Sequence, residues 1–159
     1  MELKIEYSKE NLNNEKVDAL IVFIAEDTDI LDSGLRELPK ELKKPLIELL
    51  KLKIFKGLRR KSHHFVSGYS KIPQLLVIGL GKKEDIDSEI IRRAAGKAGK
   101  LLISLNIKKV GIFVSSFLKH SSEIEIGQVL IEGLSLGAYE FNLYKKKEKN
   151  TSKDKIVKI

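Results

Sequence analysis

Several short constellations in this 159-residue chain have residue types that could do chemistry. The most suggestive is Gly79-Leu80-Gly81, which follows the apolar run Leu75-Leu76-Val77-Ile78 and precedes Lys82-Lys83-Glu84-Asp85-Ile86-Asp87. A strand running into glycines and then charge is how a phosphate-cradling loop begins, because glycine lets backbone amides approach an anion. The dinucleotide fingerprint needs a third glycine three residues after the second, and Glu84 occupies that position. Glu84, Asp85 and Asp87 put three carboxylates where a pyrophosphate would lie, a repulsive arrangement. The same acids complement the dipole of the helix that follows, and Lys82 and Lys83 do not reverse this. The expectation is a tight strand-to-helix turn and no dinucleotide loop.

Gly133-Leu134-Ser135-Leu136-Gly137 has the letters of a nucleophile elbow. There a serine on a strained strand-to-helix turn is served by an acid and a histidine further along the chain. Here the pattern falls inside an amphipathic helix, and no histidine follows Ser135. Its small residues are expected to let the helix approach the sheet closely. His63-His64 falls in a strand, where neighbours point to opposite faces and cannot chelate one ion. His120 stands alone. Asp27-Thr28-Asp29 with Asp32 hints at calcium, but an EF-hand loop needs glycine where Asp32 stands, and Leu31 takes a ligand position. With no cysteine, there is neither a thiolate site nor a disulfide. No catalytic, cofactor-binding or metal-ligating residue is therefore assigned in this chain.

The elements that would carry these residues alternate strand and helix. Leu3 to Tyr7 alternates apolar and polar, as in a strand with one wet face and an edge position. Ala19 to Ala25, ALIVFIA, reads as a strand buried on both faces. A helix is predicted over 41–53, with Leu46, Leu49, Leu50 and Ile54 at helical spacing and Pro45 in its first turn or starting it afresh. Strands follow at His63–Ser67 and Leu75–Ile78. Ser88 to Leu105 is a helix with Ile91, Ala94, Ala95, Ala98, Leu101, Leu102 and Leu105 in one stripe, ended by Asn106. Val110–Val114 is a strand. Ser122 and Glu125 form a capping box opening a second helix, with the stripe Ile126, Val129, Leu130, Gly133, Leu136 and Gly137. A charged loop spans 146–155, and 156–159 reads as the start of a strand or a linker, which suggests truncation. The pattern predicts an α/β sheet between helix layers, mixed because its first strand lies at an edge.

Charge is unevenly spread. The chain carries 30 bases and 22 acids, and residues 39–83 alone hold 12 bases and 2 acids. Residues 1–38 hold 4 bases and 10 acids, while 143–159 hold 7 and 2. Such a basic segment can attract nucleic acid, with a solvated face or a surface matched to an acidic neighbour as the favoured alternative, and Phe55 and Phe65 give little interleaving for single-strand stacking. No run is long enough to span a membrane and the N-terminus has no apolar signal region, so a cytoplasmic location is expected.

Three segments resemble the N-terminal domain of the cytosol (leucyl) aminopeptidase family. Phe55-Lys56-Gly57 resembles its F-x-G. Leu76 to Lys83, with the helix Ile90 to Gly96, is similar to its L-V-G-L-G-K and R-x-A-A-G. Glu132 to Lys145 is similar to E-G-x-x-L-x-x-Y-x-F-x-x-Y-K. The resemblance covers essentially the whole chain. It implies a macro-domain-like, three-layer α/β/α fold with a mixed sheet, and a parent enzyme that removes N-terminal amino acids from peptides. It also implies two divalent metals, zinc or manganese, held by a lysine and carboxylates of a larger C-terminal domain, some within an N-T-D-A-E-G-R motif, and a homo-hexamer. That motif does not occur here, so residues 1–159 would be a single non-catalytic N-terminal domain that assists assembly, without the catalytic domain. Two alternatives stand beside this. Val17 to Val22 resembles the buried strand of ADP-ribose-binding macro modules, although Phe23, Ile24, Ala25, Glu26 and Asp27 replace their asparagines and glycines. The basic segment would also suit a DNA-binding accessory domain.

Overall fold

The computed structural model describes residues 3–6, 16–29, 34–114, 122–139 and 155–158. Strands β1 (Leu3–Glu6), β2 (Ala19–Ala25), β3 (Ser62–Tyr69), β4 (Ile72–Gly81), β5 (Lys109–Phe113) and β6 (Lys155–Lys158) form one sheet in the order β1-β6-β5-β2-β4-β3. Helices α1 (Lys40–Lys51), α2 (Ser88–Ser104) and α3 (Glu123–Ala138) cover its faces. Every strand pairing is parallel except β3 with β4. The sheet is mixed, and β1 lies at one edge. The antiparallel member is nevertheless β3 at the opposite edge, reached through a hairpin.

Strand β2 shows why its sequence is apolar throughout. Ala19, Ile21 and Phe23 face a core shared with α2 and α3, while Leu20, Val22 and Ile24 face a core shared with α1. A strand covered on both faces leaves no position for a polar side chain. Asp18, just before it, has its own task. One carboxylate oxygen accepts from the backbone amides of Lys108 and Lys109 at 3.1 and 2.8 Å, tying the entrance of β5 to that of β2.

Helix α1 begins earlier than its sequence suggests, at Lys40 with Pro39 as N-cap. Pro45 consequently lies in the second turn rather than the first, where it has no amide for the Glu41 carbonyl. Leu42, Leu46 and Leu49 are buried, but Ile54 falls beyond the helix and is 60% exposed. Lys53, at φ +54°, turns the chain there, in the left-handed conformation common just past a helix end.

Helix α2 is capped by Asp87, whose carboxylate accepts from the Ile90 amide at 2.8 Å. Ser122 and Glu125 form the expected capping box on α3. The small residues of α3 serve a different neighbour from the one expected. A Cβ on Gly133 would overlap the Arg92 carbonyl, and one on Gly137 would overlap Gly96. These glycines therefore bring α3 against α2, and a Cβ on Gly99 of α2 would overlap the Leu134 carbonyl at 2.6 Å and crowd the Ala138 nitrogen at 3.0 Å. The sheet is met instead by Ile126, Leu130 and Leu134. Leu136, placed on the apolar stripe by its spacing, is 70% exposed.

Candidate functional site

The glycines of Gly79-Leu80-Gly81 are occupied by protein. Gly79 lies within β4, not at a turn, and a Cβ there would overlap the carbonyl of Leu58. Only Gly81, at φ +86°, has the turning conformation reserved for glycine. Their amides are already bonded. Gly79 N–H donates to Lys61 O and Gly81 N–H to Gly57 O, both at 2.9 Å. Gly57 itself, at φ +71°, lies so close to Ala25 that a Cβ would overlap its carbonyl. Phe55 is buried beneath the same loop. The Phe55-Lys56-Gly57 and Gly79-Leu80-Gly81 segments are thus two halves of one interlock, with the 55–61 loop clamped over the ends of β2 and β4. Neither the Gly79 nor the Gly81 amide is left to bind a phosphate.

Two of the three carboxylates between Gly81 and α2 are also engaged. Asp87 is the α2 N-cap, and Asp85 meets Arg59 at 3.4 Å. Glu89 accepts from Arg92 at 2.6 Å and Arg93 at 2.7 Å, and Arg92 continues to Glu132 of α3 at 3.0 Å. Hydrogen bonds from Arg93 and Arg92 hold Glu89 below the usual carboxylate range. Glu132 is lowered by hydrogen bonds from Gln128 and Arg92. The Arg92 guanidinium is pushed up by Glu89 and Glu132. This four-residue chain fastens α2 to α3 beside the glycine contacts.

Beside the interlock, between the 59–60 turn, β4 and the start of α2, lies a cleft of about 280 Å³. Ile78, Gly79, Ile90 and Ala94 supply its apolar lining, and Arg59, Arg60, Arg93 and Lys97 its cations. Lys97 Nζ donates to the Arg60 carbonyl at 2.6 Å, bracing a backbone held at φ +65°. The charge excess of residues 39–83 signalled Arg59 and Arg60. Arg93 and Lys97 were legible only as the polar side of α2, because their meeting with the loop depends on tertiary packing.

The other sequence candidates do not assemble. His64 is exposed and hydrogen-bonds Gln74 at 3.0 Å, while His63 stacks near Phe65 with centroids 6.1 Å apart. Ser135 is exposed on α3. Asp32, Leu31 and His120 lie outside the described residues, as do Glu140 to Lys145 and the 146–154 loop. Thr28 Oγ1 donates to the Ala25 carbonyl, closing the turn at Asp27. Among the described residues, no group of three or more histidines and carboxylates could hold a metal ion, so they do not fit a two-metal centre. Among them, too, no helix is long and apolar enough to cross a membrane.

A mixed α/β sheet with helices on both faces, and an interlocked loop over its strand ends, defines an α/β domain of macro-like architecture. Residues 21–148 match the N-terminal domain of the cytosol aminopeptidase family, and the chain belongs to that family. It is 26% identical over 151 residues to a probable cytosol aminopeptidase of Alkaliphilus oremlandii, covering 94% of this chain and 30% of that protein. A tomato leucine aminopeptidase variant superposes with a TM-score of 0.75 at 16% identity, over 99% of this chain and 32% of the other. The macrodomain of Mycobacterium tuberculosis DarG gives 0.58 at 15% identity, over 82% and 90%. The chain spans about a third of the length of the curated relatives it matches.

Proposed function

We propose that this chain is the non-catalytic N-terminal domain of a cytoplasmic, two-metal aminopeptidase that removes N-terminal amino acids from peptides. The single observation carrying this reading is that the family's motifs serve packing here. Phe55, Gly57, Gly79 and Gly81 interlock a loop with the strand ends, and Arg92, Glu132, Gly133 and Gly137 join α2 to α3. Zinc or manganese and the peptide belong to residues of a separate, larger domain. The role of this domain is assembly into a homo-hexamer. Leu52, Ile54 and Leu58 are exposed among the exposed cations Lys51, Lys53, Lys56, Arg59, Arg60 and Lys61. Apolar side chains ringed by charge suit a protein neighbour better than a phosphate backbone.

The test is co-expression with the C-terminal two thirds of the Alkaliphilus oremlandii relative, followed by gel filtration and leucine p-nitroanilide hydrolysis with manganese or zinc. A co-eluting, active complex is expected, with no turnover by the 159-residue chain alone. Turnover by the chain alone that survives repurification and is lost on mutating one of its residues would overturn the non-catalytic reading. Failure to co-elute would overturn the assembly role.

A further inference from the structure

The cleft beside the interlock shares Arg59 and Arg60 with the proposed assembly surface, but Ile90, Arg93 and Lys97 of its lining play no part in that role. Its lining combines the apolar Ile78, Gly79, Ile90 and Ala94 with the cations Arg59, Arg60, Arg93 and Lys97. The two acids that line it, Asp87 and Glu89, are both committed within the fold, one to the α2 N-cap and the other to Arg92 and Arg93. Arg59 has a long contact with Asp85 and Arg93 a short one with Glu89. The Arg60 guanidinium has no hydrogen-bond or ion-pair partner among the described residues, and Lys97 donates only to a backbone carbonyl.

The position of Arg60 is fixed from three sides. Its neighbour Lys61 accepts the Gly79 amide through its carbonyl, its own carbonyl accepts Lys97, and Gly57 anchors the loop against Ala25. The turn also holds Arg60 at φ +65°, a conformation that costs a non-glycine residue energy and that glycine would adopt freely. An arginine kept there sets a guanidinium with no partner among the described residues, on a braced backbone, beside a concave, partly apolar surface. Such a fork matches the oxygens of a carboxylate or phosphate. The end of α2 is not the anion's seat, since Asp87 already caps it.

We propose that this cleft binds a small molecule or terminal group that joins an apolar body to a carboxylate or phosphate. Arg60 and Lys97 hold the anion, and Ile90, the half-buried member of the apolar lining, receives the apolar part over the buried Ile78 and Ala94. The two sources of the anionic group are distinguished by titrating the 159-residue chain, followed by amide NMR at low ionic strength, with phenyl phosphate, benzoate and neutral benzyl alcohol. Saturable shifts centred on Arg60, Lys61, Gly79 and Ala94 are expected, with a Kd in the millimolar range or tighter. Tighter binding of phenyl phosphate assigns a phosphate ligand, and tighter binding of benzoate a carboxylate. Arg60→Ala and Lys97→Met should each weaken binding about tenfold, the loss of one charge-assisted bond. Arg60→Gly should weaken it as much while raising the Tm, which separates lost binding from lost folding. The idea fails if no shift saturates or if benzyl alcohol binds as well as the anions. It fails equally if Arg60→Gly binds like the parent, or if Lys108→Ala, remote from the cleft, weakens binding as much as Arg60→Ala.

Discussion

Gly137 of α3 lies against Gly96 of α2 so closely that a single added methyl group on Gly137 would collide with the Gly96 backbone. The relationship is not symmetric. A Cβ on Gly96 would meet only the Gly133 carbonyl, at 3.4 Å. Gly137→Ala should therefore destabilise by about 2–3 kcal/mol through forced separation of the helices. Gly96→Ala should stay within about 1 kcal/mol of neutral, its tight contact offset by better helix propensity. Gly127, with open space where its Cβ would be, is the control, and Gly127→Ala should stabilise by about 0.5–1 kcal/mol. Urea denaturation of the three variants checks the order. Equal losses at Gly96 and Gly137 would contradict the asymmetric contact.

Gly57 combines a left-handed backbone with contact against Ala25. Gly57→Ala is expected to cost about 3 kcal/mol or more, since conformational strain and overlap act together. Gly68 has a similar φ but nothing near its Cβ, so Gly68→Ala should cost only the strain, about 1–2 kcal/mol. Thermal melts of both variants measure the difference attributable to the interlock.

The Arg92 bridge gives a pH signature. Glu89 and Glu132 titrate below the ordinary carboxylate range, so the folded state loses their protons more readily than the unfolded state. Their stabilisation is present in full above the unfolded value, about 4.3, and is lost as pH falls through the lowered folded values. Carboxyl-carbon NMR should show both shifts. Arg92→Met should raise Glu132 and Glu89 together, neither completely, because Gln128 remains on Glu132 and Arg93 on Glu89. Unchanged titration in that variant would remove the bridge as cause.

ADP-ribose should not bind, despite the macro-like architecture. The amides of Gly79 and Gly81 are bonded to Lys61 and Gly57, and the phosphate side of the β4 loop carries Glu84, Asp85 and Asp87. Calorimetry is expected to show nothing beyond the weak, Arg60-dependent binding of any phosphate in the cleft, and saturable micromolar binding that persists in Arg60→Ala would refute this.

Duplex DNA should bind weakly to the 51–61 segment. Arg59 already faces Asp85, and Leu52, Ile54 and Leu58 interrupt the cations. True phosphate contacts would each add about 0.9 to the slope of log affinity against log salt. An anisotropy titration at two salt concentrations checks this. Sub-micromolar affinity with a steep slope, abolished by replacing Arg59, Arg60 and Lys61 with alanine, would reverse the expectation.

Local signals carried much of the fold. The uninterrupted ALIVFIA run marked a strand covered on both sides, and the Ser122–Glu125 spacing marked the start of α3. Asp87 could be read as a helix-end acid, and it is the N-cap. Glycine was harder to read, because its function depends on what arrives next to it. Gly79 looked like a turn and is a strand residue over which Leu58 passes, while Gly133 and Gly137 face a helix rather than the sheet. Leu136 obeyed the period but fell on the outer side of α3. The cleft was the least legible feature, since Arg60 and Lys97 are 37 residues apart and meet through one carbonyl.

Strand β6 fits between β5 and β1, pairing in parallel with each. During synthesis β1 precedes β6, its partner among the described residues, by about 150 residues. Until Lys155 to Lys158 leave the ribosome, β1 has no edge to join and the outer side of β5 stays bare. The growing chain therefore carries an open edge through most of its synthesis, a place where a neighbouring nascent chain could dock its own β6. In the finished sheet β6 covers that side of β5, and the edge position passes to the four-residue β1.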